Sequence, residues 1–191
     1  MSSFFLQGIK HEQWHVLDRM LQLYIHDINA YFNFPVVLDN NGRYRIKQTE
    51  KFLSDGFGYF IVVNCEYAGF VLLNNKTKPP GGAFISEFYI LPGFRQGLFY
   101  EKLLFSLFSE LKGRVEFRIL NKNMRALVLF KYLVKKYVSK VVITDECENE
   151  EKYFRFALDT ENILINLSGY RKHIMPHSKT PVDGLQCSAT K

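Results

Sequence analysis

The chain has 191 residues, 47% of them hydrophobic and 23% charged, with a formal charge of +6 and a pI near 9.1. That length and balance exclude a disordered chain and describe one domain long enough to bury its own core. The positive surplus suits an anionic partner, whether nucleotide cofactor, nucleic acid or membrane surface, but many soluble proteins carry as much.

In chain order, residues 4–9 fit a first strand. Over residues 12–31, Trp14, Leu17, Leu21, Tyr24, Ile28 and Tyr31 recur at three- and four-residue steps, which predicts an amphipathic helix. It ends before Phe34-Pro35, because the residue preceding a proline is steered away from helix. A turn at Asp39–Gly42 and a short helix over residues 48–54 follow. Two apolar runs, 59–63 and 68–73, flank Asn64-Cys65-Glu66-Tyr67 and read as an antiparallel hairpin. Residues 83–91 form a third strong strand with Glu87 at its centre, broken by Pro92-Gly93. A helix over 98–112 buries Leu104, Leu107, Phe108 and Leu111 and stops at Gly113. Residues 114–120 alternate as a half-buried strand. Asn121 or Asn123 caps the next helix, with Ala126, Phe130, Leu133 and Tyr137 on one side and Lys135 and Lys136 in its last turn. Strands over 140–147 and 152–158, joined by an acidic turn, complete an α/β domain with a mixed sheet. Residues 1–167 are expected to be that single domain, and 168–191 a loosely ordered tail. The cluster Ile163, Leu164, Ile165 and Leu167 docks the tail on the body or pairs with a second subunit in a homodimer.

Cys65, Cys147 and Cys187 are odd in number and lack a C-x-x-C pair, which argues against a disulfide framework and a structural zinc site. Cys65 and Cys147 are expected to be buried, inert thiols. There is no basic N-terminal region followed by a long apolar run, and no apolar stretch approaches the ~20 residues that span a bilayer. A cytoplasmic chain without a membrane partner is the expectation.

The stretch Ile85 to Phe105 carries the chemistry. A strand runs into a short basic loop containing Gly97, and the loop opens into a helix. The first N–H groups of a helix lack internal acceptors and point outward at the positive end of its dipole, so they suit a phosphate or pyrophosphate. Gly97 lets the backbone come close, and Arg95 adds charge. Here the sequence resembles the GNAT superfamily of acetyltransferases. Phe94-Arg95-Gln96-Gly97-Leu98-Phe99 is similar to its Q/R-x-x-G-x-G/A pyrophosphate loop, without a basic first residue and with Phe99 at the Gly/Ala position. Ser86-Glu87-Phe88-Tyr89-Ile90-Leu91 resembles the E-F-F-V-L strand of a group of predicted bacterial members. Asn123-Met-Arg-Ala126-Leu-Val-Leu-Phe130 resembles the N-x-x-A-x-x-F-W or N-x-x-A-x-x-L-Y segment.

The resemblance implies a mostly antiparallel sheet of six to seven strands flanked by about four helices. It also implies acetyl-CoA as acyl donor, no metal, and direct transfer to a primary amine in a ternary complex. Phe88, Tyr89, Ile90 and Leu91, the loop Phe94 to Phe99, and Asn123, Ala126 and Phe130 would hold the cofactor. Backbone N–H groups near Tyr89 to Leu91 would polarise the thioester. Glu87 would be the base that accepts the amine proton, since only a neutral amine attacks; burial of its strand would raise its pKa toward a useful range. The competing reading pairs Glu87 with a Lys or Arg of a neighbouring strand. Where many relatives have an acidic Tyr, this chain has Phe130. Tyr132 is the nearest hydroxyl, although two residues along a helix turn it to another face, and solvent or another Tyr are alternatives.

Two rivals stand beside this reading. One is a weak or inactive module of the same fold that binds CoA, protein or nucleic acid, the last through Arg114, Arg118, Lys122, Arg125, Lys131, Lys135 and Lys136. The other, more remote, is a zinc hydrolase through His11-Glu12-x-x-His15. Its start directly after Lys10, at the head of the first helix, opposes it. The identity of the amine is not written in the sequence.

Overall fold

The computed structural model describes residues 4–33, 36–44, 57–95 and 99–161. Seven strands, β1 (Phe4–Gly8), β2 (Phe57–Val63), β3 (Glu66–Asn74), β4 (Ala83–Ile90), β5 (Arg114–Leu120), β6 (Val141–Glu148) and β7 (Glu151–Asp159), form one sheet in the order β1-β2-β3-β4-β5-β7-β6. Its one parallel pair is β4–β5, which the helix α2 (Phe99–Glu110) makes possible by carrying the chain back across the sheet. All other neighbours run antiparallel.

Helices cover both faces. On one face α1 (Trp14–Ile28) presses Leu17, Met20 and Leu21 onto Phe60, Val62, Phe70, Leu72 and Tyr89. On the other, α2 and α3 (Met124–Tyr137) pack Leu103, Leu104, Leu107, Phe108, Leu127, Phe130, Leu133 and Val134 against Ile61, Val71, Ile85, Ile90, Val115, Phe117, Ile119 and Phe156. The side-chain periods of two and 3.6 thus select which residues face inward. The Asn123 side-chain oxygen accepts the Ala126 N–H at 3.1 Å, capping α3 where the sequence offered either asparagine.

The mixed, mostly antiparallel sheet matches expectation, with three α-helices among the described residues. The short helix expected over 48–54, the stop at Phe34-Pro35, Cys187, the Ile163–Leu167 cluster and the tail lie outside them. The first helix is subdivided, with 3₁₀ turns at His11–Gln13 and Asn29–Tyr31 flanking α1. The two hairpin turns are tighter than composition implied. Asn64 and Cys65 (φ 48° and 66°), like Asn149 and Glu150 (φ 51° and 66°), are the two central residues of turns with positive φ at both positions. The expected burial of Cys65 and Cys147 is corrected, since both are exposed. Cys65 sits at a turn tip, and Cys147 lies on β6, an edge strand with little packed over it.

Candidate active site

Strands β4 and β5 pair over only three positions, Ala83–Val115, Phe84–Glu116 and Ile85–Phe117, and then part. β4 stays paired to β3 through Ile90, and β5 stays paired to β7 through Leu120. A wedge therefore opens between the C-terminal halves of the two parallel strands. Its apex is Ser86, an extra residue in the β3–β4 ladder between Glu87 (opposite Leu72) and Ile85 (opposite Leu73), with its hydroxyl donating to the Leu72 carbonyl at 3.1 Å. Beyond it the Leu91 N–H donates to Ala68 at 2.8 Å. Alternation along an antiparallel ladder then turns the N–H groups of Glu87 and Tyr89 toward β3, and those of Phe88 and Ile90 toward the wedge. The Leu91 N–H, expected among the carbonyl-polarising donors, is committed to the sheet.

Glu87 stands beside this opening, on the α1 face of β4. The Tyr24 hydroxyl of α1 donates to its Oε2, and the Tyr24 ring is wedged between Phe70 and Tyr89 at 5.9 and 5.6 Å. Burial raises the Glu87 pKa to about 7, against the lowering effects of the Tyr24 hydrogen bond and of the Arg118 charge. Burial also raises Tyr24 well above the usual tyrosine range, helped by the neighbouring Glu87. Tyr153 of β7 lies within electrostatic reach of both, with the Arg118 guanidinium 4.7 Å above its ring. The residues that surround Glu87, from α1, β5 and β7, carry no motif, and sequence reasoning missed them.

Arg118 belongs to an ion-pair network that floors this face of the sheet. Glu116 is fully shielded from solvent; it accepts from Arg114 at 2.6 Å, from Arg155 Nε at 2.8 Å and from the Lys78 backbone N–H at 3.1 and 3.2 Å. Glu146 joins Lys78 at 3.0 Å, Arg155 at 3.2 Å and Arg118 at 3.6 Å, and Arg118 also pairs with Glu148. Above the floor, the Asn33 backbone and side-chain amides donate to the Glu151 carboxylate, and Lys122 reaches the Asn33 oxygen. The segment that follows α1 is thereby fastened to the start of β7, across the wedge. A surface cavity of about 360 Å³ lined in part by Asn121, Glu146, Cys147, Tyr153 and Phe154 opens beside it.

The residues expected to hold the cofactor do not all lie together. Phe88, Tyr89, Ile90 and Leu91 run along the wedge, whereas Gln96, Gly97 and Leu98 lie outside the described residues. Arg95 is not directed outward. Its Nε donates to the Ile90 carbonyl at 2.6 Å, its Nη2 pairs with Asp27 of α1 at 2.6 Å, and its guanidinium sits 5.1 Å from the Tyr89 ring centre. Asp27 also accepts the Tyr89 hydroxyl at 3.1 Å, and burial with Asp27 pushes that phenol up to about 12. Phe94 closes the 3₁₀ turn Pro92–Phe94, and Phe99 starts α2 with its ring edge-on to Phe4 at 5.8 Å. Arg125, at the start of α3, acts electrostatically on Tyr100 together with Arg95.

Phe130 is only 9% exposed, edge-on to Phe88 at 6.0 Å and 5.1 Å from Phe117, so it backs the wedge from inside the core. Tyr132 is 57% exposed with the Lys136 ammonium 5.7 Å from its ring. It is not among the groups gathered around Glu87. Of the residues offered for a nucleic-acid face, Arg114, Arg118 and Lys136 are engaged with carboxylates and Lys122 with Asn33. The two histidines of the H-E-x-x-H segment do not share one α-helix: His11 is in the 3₁₀ turn with its ring against Trp14 at 4.1 Å, and His15 Nδ1 contacts the Glu12 carbonyl. Among the described residues, no three metal-ligating side chains cluster, and no helix is long and apolar enough to cross a membrane.

No family model matches the sequence, and no curated protein matches it. Solved structures do match the fold. An acetyltransferase from Thermus thermophilus aligns with a TM-score of 0.55 at 13% identity, over 81% of this chain and 96% of that one. Spermidine N-acetyltransferase from Vibrio cholerae, in complex with CoA and spermine, aligns with a TM-score of 0.58 at 10% identity, over 83% and 96%. A GNAT-family acetyltransferase from Bacillus cereus aligns with a TM-score of 0.52 at 9% identity, over 81% and 96%. At such identities the likeness is one of architecture, and it extends over nearly the whole of each relative. The chain is built on the GNAT acetyltransferase fold.

Proposed function

We propose that this chain is an N-acetyltransferase that moves an acetyl group from acetyl-CoA to a primary amine by direct attack in a ternary complex. The observation that carries the reading is the wedge between β4 and β5 with a half-buried carboxyl, ionising near pH 7, at its edge. Crystals of the Vibrio relative contain CoA, which supports the same donor here. The pantetheine arm would enter the wedge against Phe88–Leu91, and the pyrophosphate would meet the loop Phe94 to Phe99. Arg125 supplies positive charge near that loop, while Asn123 and Ala126 border the arm from α3.

In this mechanism Glu87 takes the proton from the acceptor ammonium, freeing its lone pair. The nitrogen attacks the thioester carbon, a C–N bond forms, and the carbonyl oxygen gains negative charge. The N–H groups of Phe88 and Ile90, which face the wedge, would donate to that oxygen. Collapse breaks the C–S bond and the nitrogen releases its second proton to solvent, giving amide and CoA thiolate. With Phe130 lacking a hydroxyl and Tyr132 exposed, the thiolate takes its proton from solvent.

The test is thiol release from acetyl-CoA across small amines, amino acids, peptide N-termini and lysine peptides, with Glu87→Gln in parallel. Transfer to one class, reduced about 10²–10³-fold in kcat/KM by the substitution, is the expected result. Wild-type kcat/KM should rise with pH to a plateau above about 7, because the active form of Glu87 is the carboxylate. Saturable acetyl-CoA binding with no transfer to any amine would reduce the chain to a binding module.

A further inference from the structure

We propose that Tyr24 is a positioning residue for Glu87, holding the carboxyl at the mouth of the wedge. The proposal rests on the reading of Glu87 as the base, but its geometry stands by itself. Tyr24 and Asp27, one turn apart on α1, face Glu87 and Tyr89, two residues apart on β4. Tyr24 donates to Glu87, and Asp27 accepts from Tyr89 and pairs with Arg95. Two side chains of the helix therefore fix two side chains of the strand, and Arg95 ties the end of that strand into the same lattice. The Tyr24 ring cannot swing away without leaving its contacts with Phe70 and Tyr89.

A glutamate side chain has three rotatable bonds, and a base must stay in one place relative to the nitrogen it deprotonates. Of the two carboxylate oxygens, Oε2 is occupied by Tyr24, which leaves Oε1 to receive the proton. The hydrogen bond also favours the charged form, offsetting part of the burial that disfavours it. The groups acting on Glu87 are Tyr24 from α1, Arg118 from β5 and Tyr153 from β7. Arg118 is already shared among Glu146, Glu148 and the rings of Tyr153 and Phe84. Tyr24 is thus the one hydrogen-bond donor to this carboxyl among the described residues.

Tyr24→Phe keeps the ring and removes the hydroxyl, so the helix should remain docked. The carboxyl carbon of Glu87 is followed by NMR in full-length protein with labelled glutamate, its signal assigned by its loss in Glu87→Gln. Wild type is expected to titrate near pH 7 and Tyr24→Phe about one pH unit higher. On the amine that the screen identifies, the rising limb of kcat/KM should move up by the same interval, with kcat lowered more than KM is raised. Titration of Glu87 at the same pH in both proteins, or an ordinary glutamate value in wild type, overturns the proposal. A shifted titration in a protein that acetylates no amine sustains the positioning role and refutes the enzymatic reading instead.

Discussion

Removing water from Glu87 has an effect on stability as well as on chemistry. Its folded pKa of about 7 lies above the roughly 4.3 of an unfolded glutamate. Between those values the folded chain binds more protons than the unfolded one, so the stability contributed by this group is lost as pH rises through the window. Glu87→Gln carries no charge to bury and should escape that loss. Its Tm is expected to exceed wild type by a few degrees at pH 8 and to approach it at pH 5, as calorimetry at the two pH values would show. A variant less stable at pH 8 than at pH 5 relative to wild type would contradict the assigned burial. Glu87 was legible from its strand and motif. Tyr24 was legible only as one more residue on the buried stripe of α1, because nothing local marks a hydroxyl whose partner is 63 positions away. Arg95 shows the same limit: its place near Gly97 suggested a phosphate ligand, and nothing local marked its bonds to Asp27 and the Ile90 carbonyl.

At the scale of elements, the strand bearing Glu87 is held by close backbone approach. A Cβ added to Gly69 on β3 would lie 2.2 Å from the Tyr89 carbonyl oxygen and 3.0 Å from the Ile90 Cα. Both neighbours are backbone of β4, so the strand itself must move. Gly69→Ala should cost roughly 1–3 kcal/mol in urea denaturation and lower acetyl transfer in the surviving folded fraction. An unchanged transfer rate would show that the displacement does not reach Glu87. Strand positions were well marked in the sequence, because alternation and apolar runs act within a few residues. The wedge was not: it depends on where two strands stop pairing, which is set by Ser86 interrupting the ladder and by the separate commitment of β5 to β7. The exposure of Cys147 was missed for a related reason, since an edge strand cannot be told from a central one by apolar content, whereas Cys65 already lay in the turn between the two apolar runs.

Across the whole molecule, the charged floor joins β5, β6 and β7 to the loop at Lys76–Lys78. Glu116 is surrounded by the positive charges of Arg114 and Arg155, and Arg155 also donates to the Lys76 carbonyl. Glu116→Ala would leave Arg155, whose side chain is only 10% exposed, without its main partner. A loss of roughly 3–5 kcal/mol is expected, and the double variant Glu116→Leu/Arg155→Leu should recover much of it. Failure of the double variant to recover stability would assign the cost to the Lys78 and Glu146 contacts instead.

The three-pair junction of β4 and β5 also bears on how the molecule assembles. Strands β1 to β4 are successive antiparallel neighbours in the sheet, and β5, β7 and β6 form a second antiparallel group. The β6–β7 pair is built from residues close in the chain, whereas joining the two groups requires closing the crossover through α2. Closing that crossover costs loop entropy and is repaid by only three paired positions, so the junction is the most thinly bonded seam between neighbouring strands of the sheet. The wedge proposed for the cofactor therefore lies at the seam where the two antiparallel groups of strands are least bonded to each other.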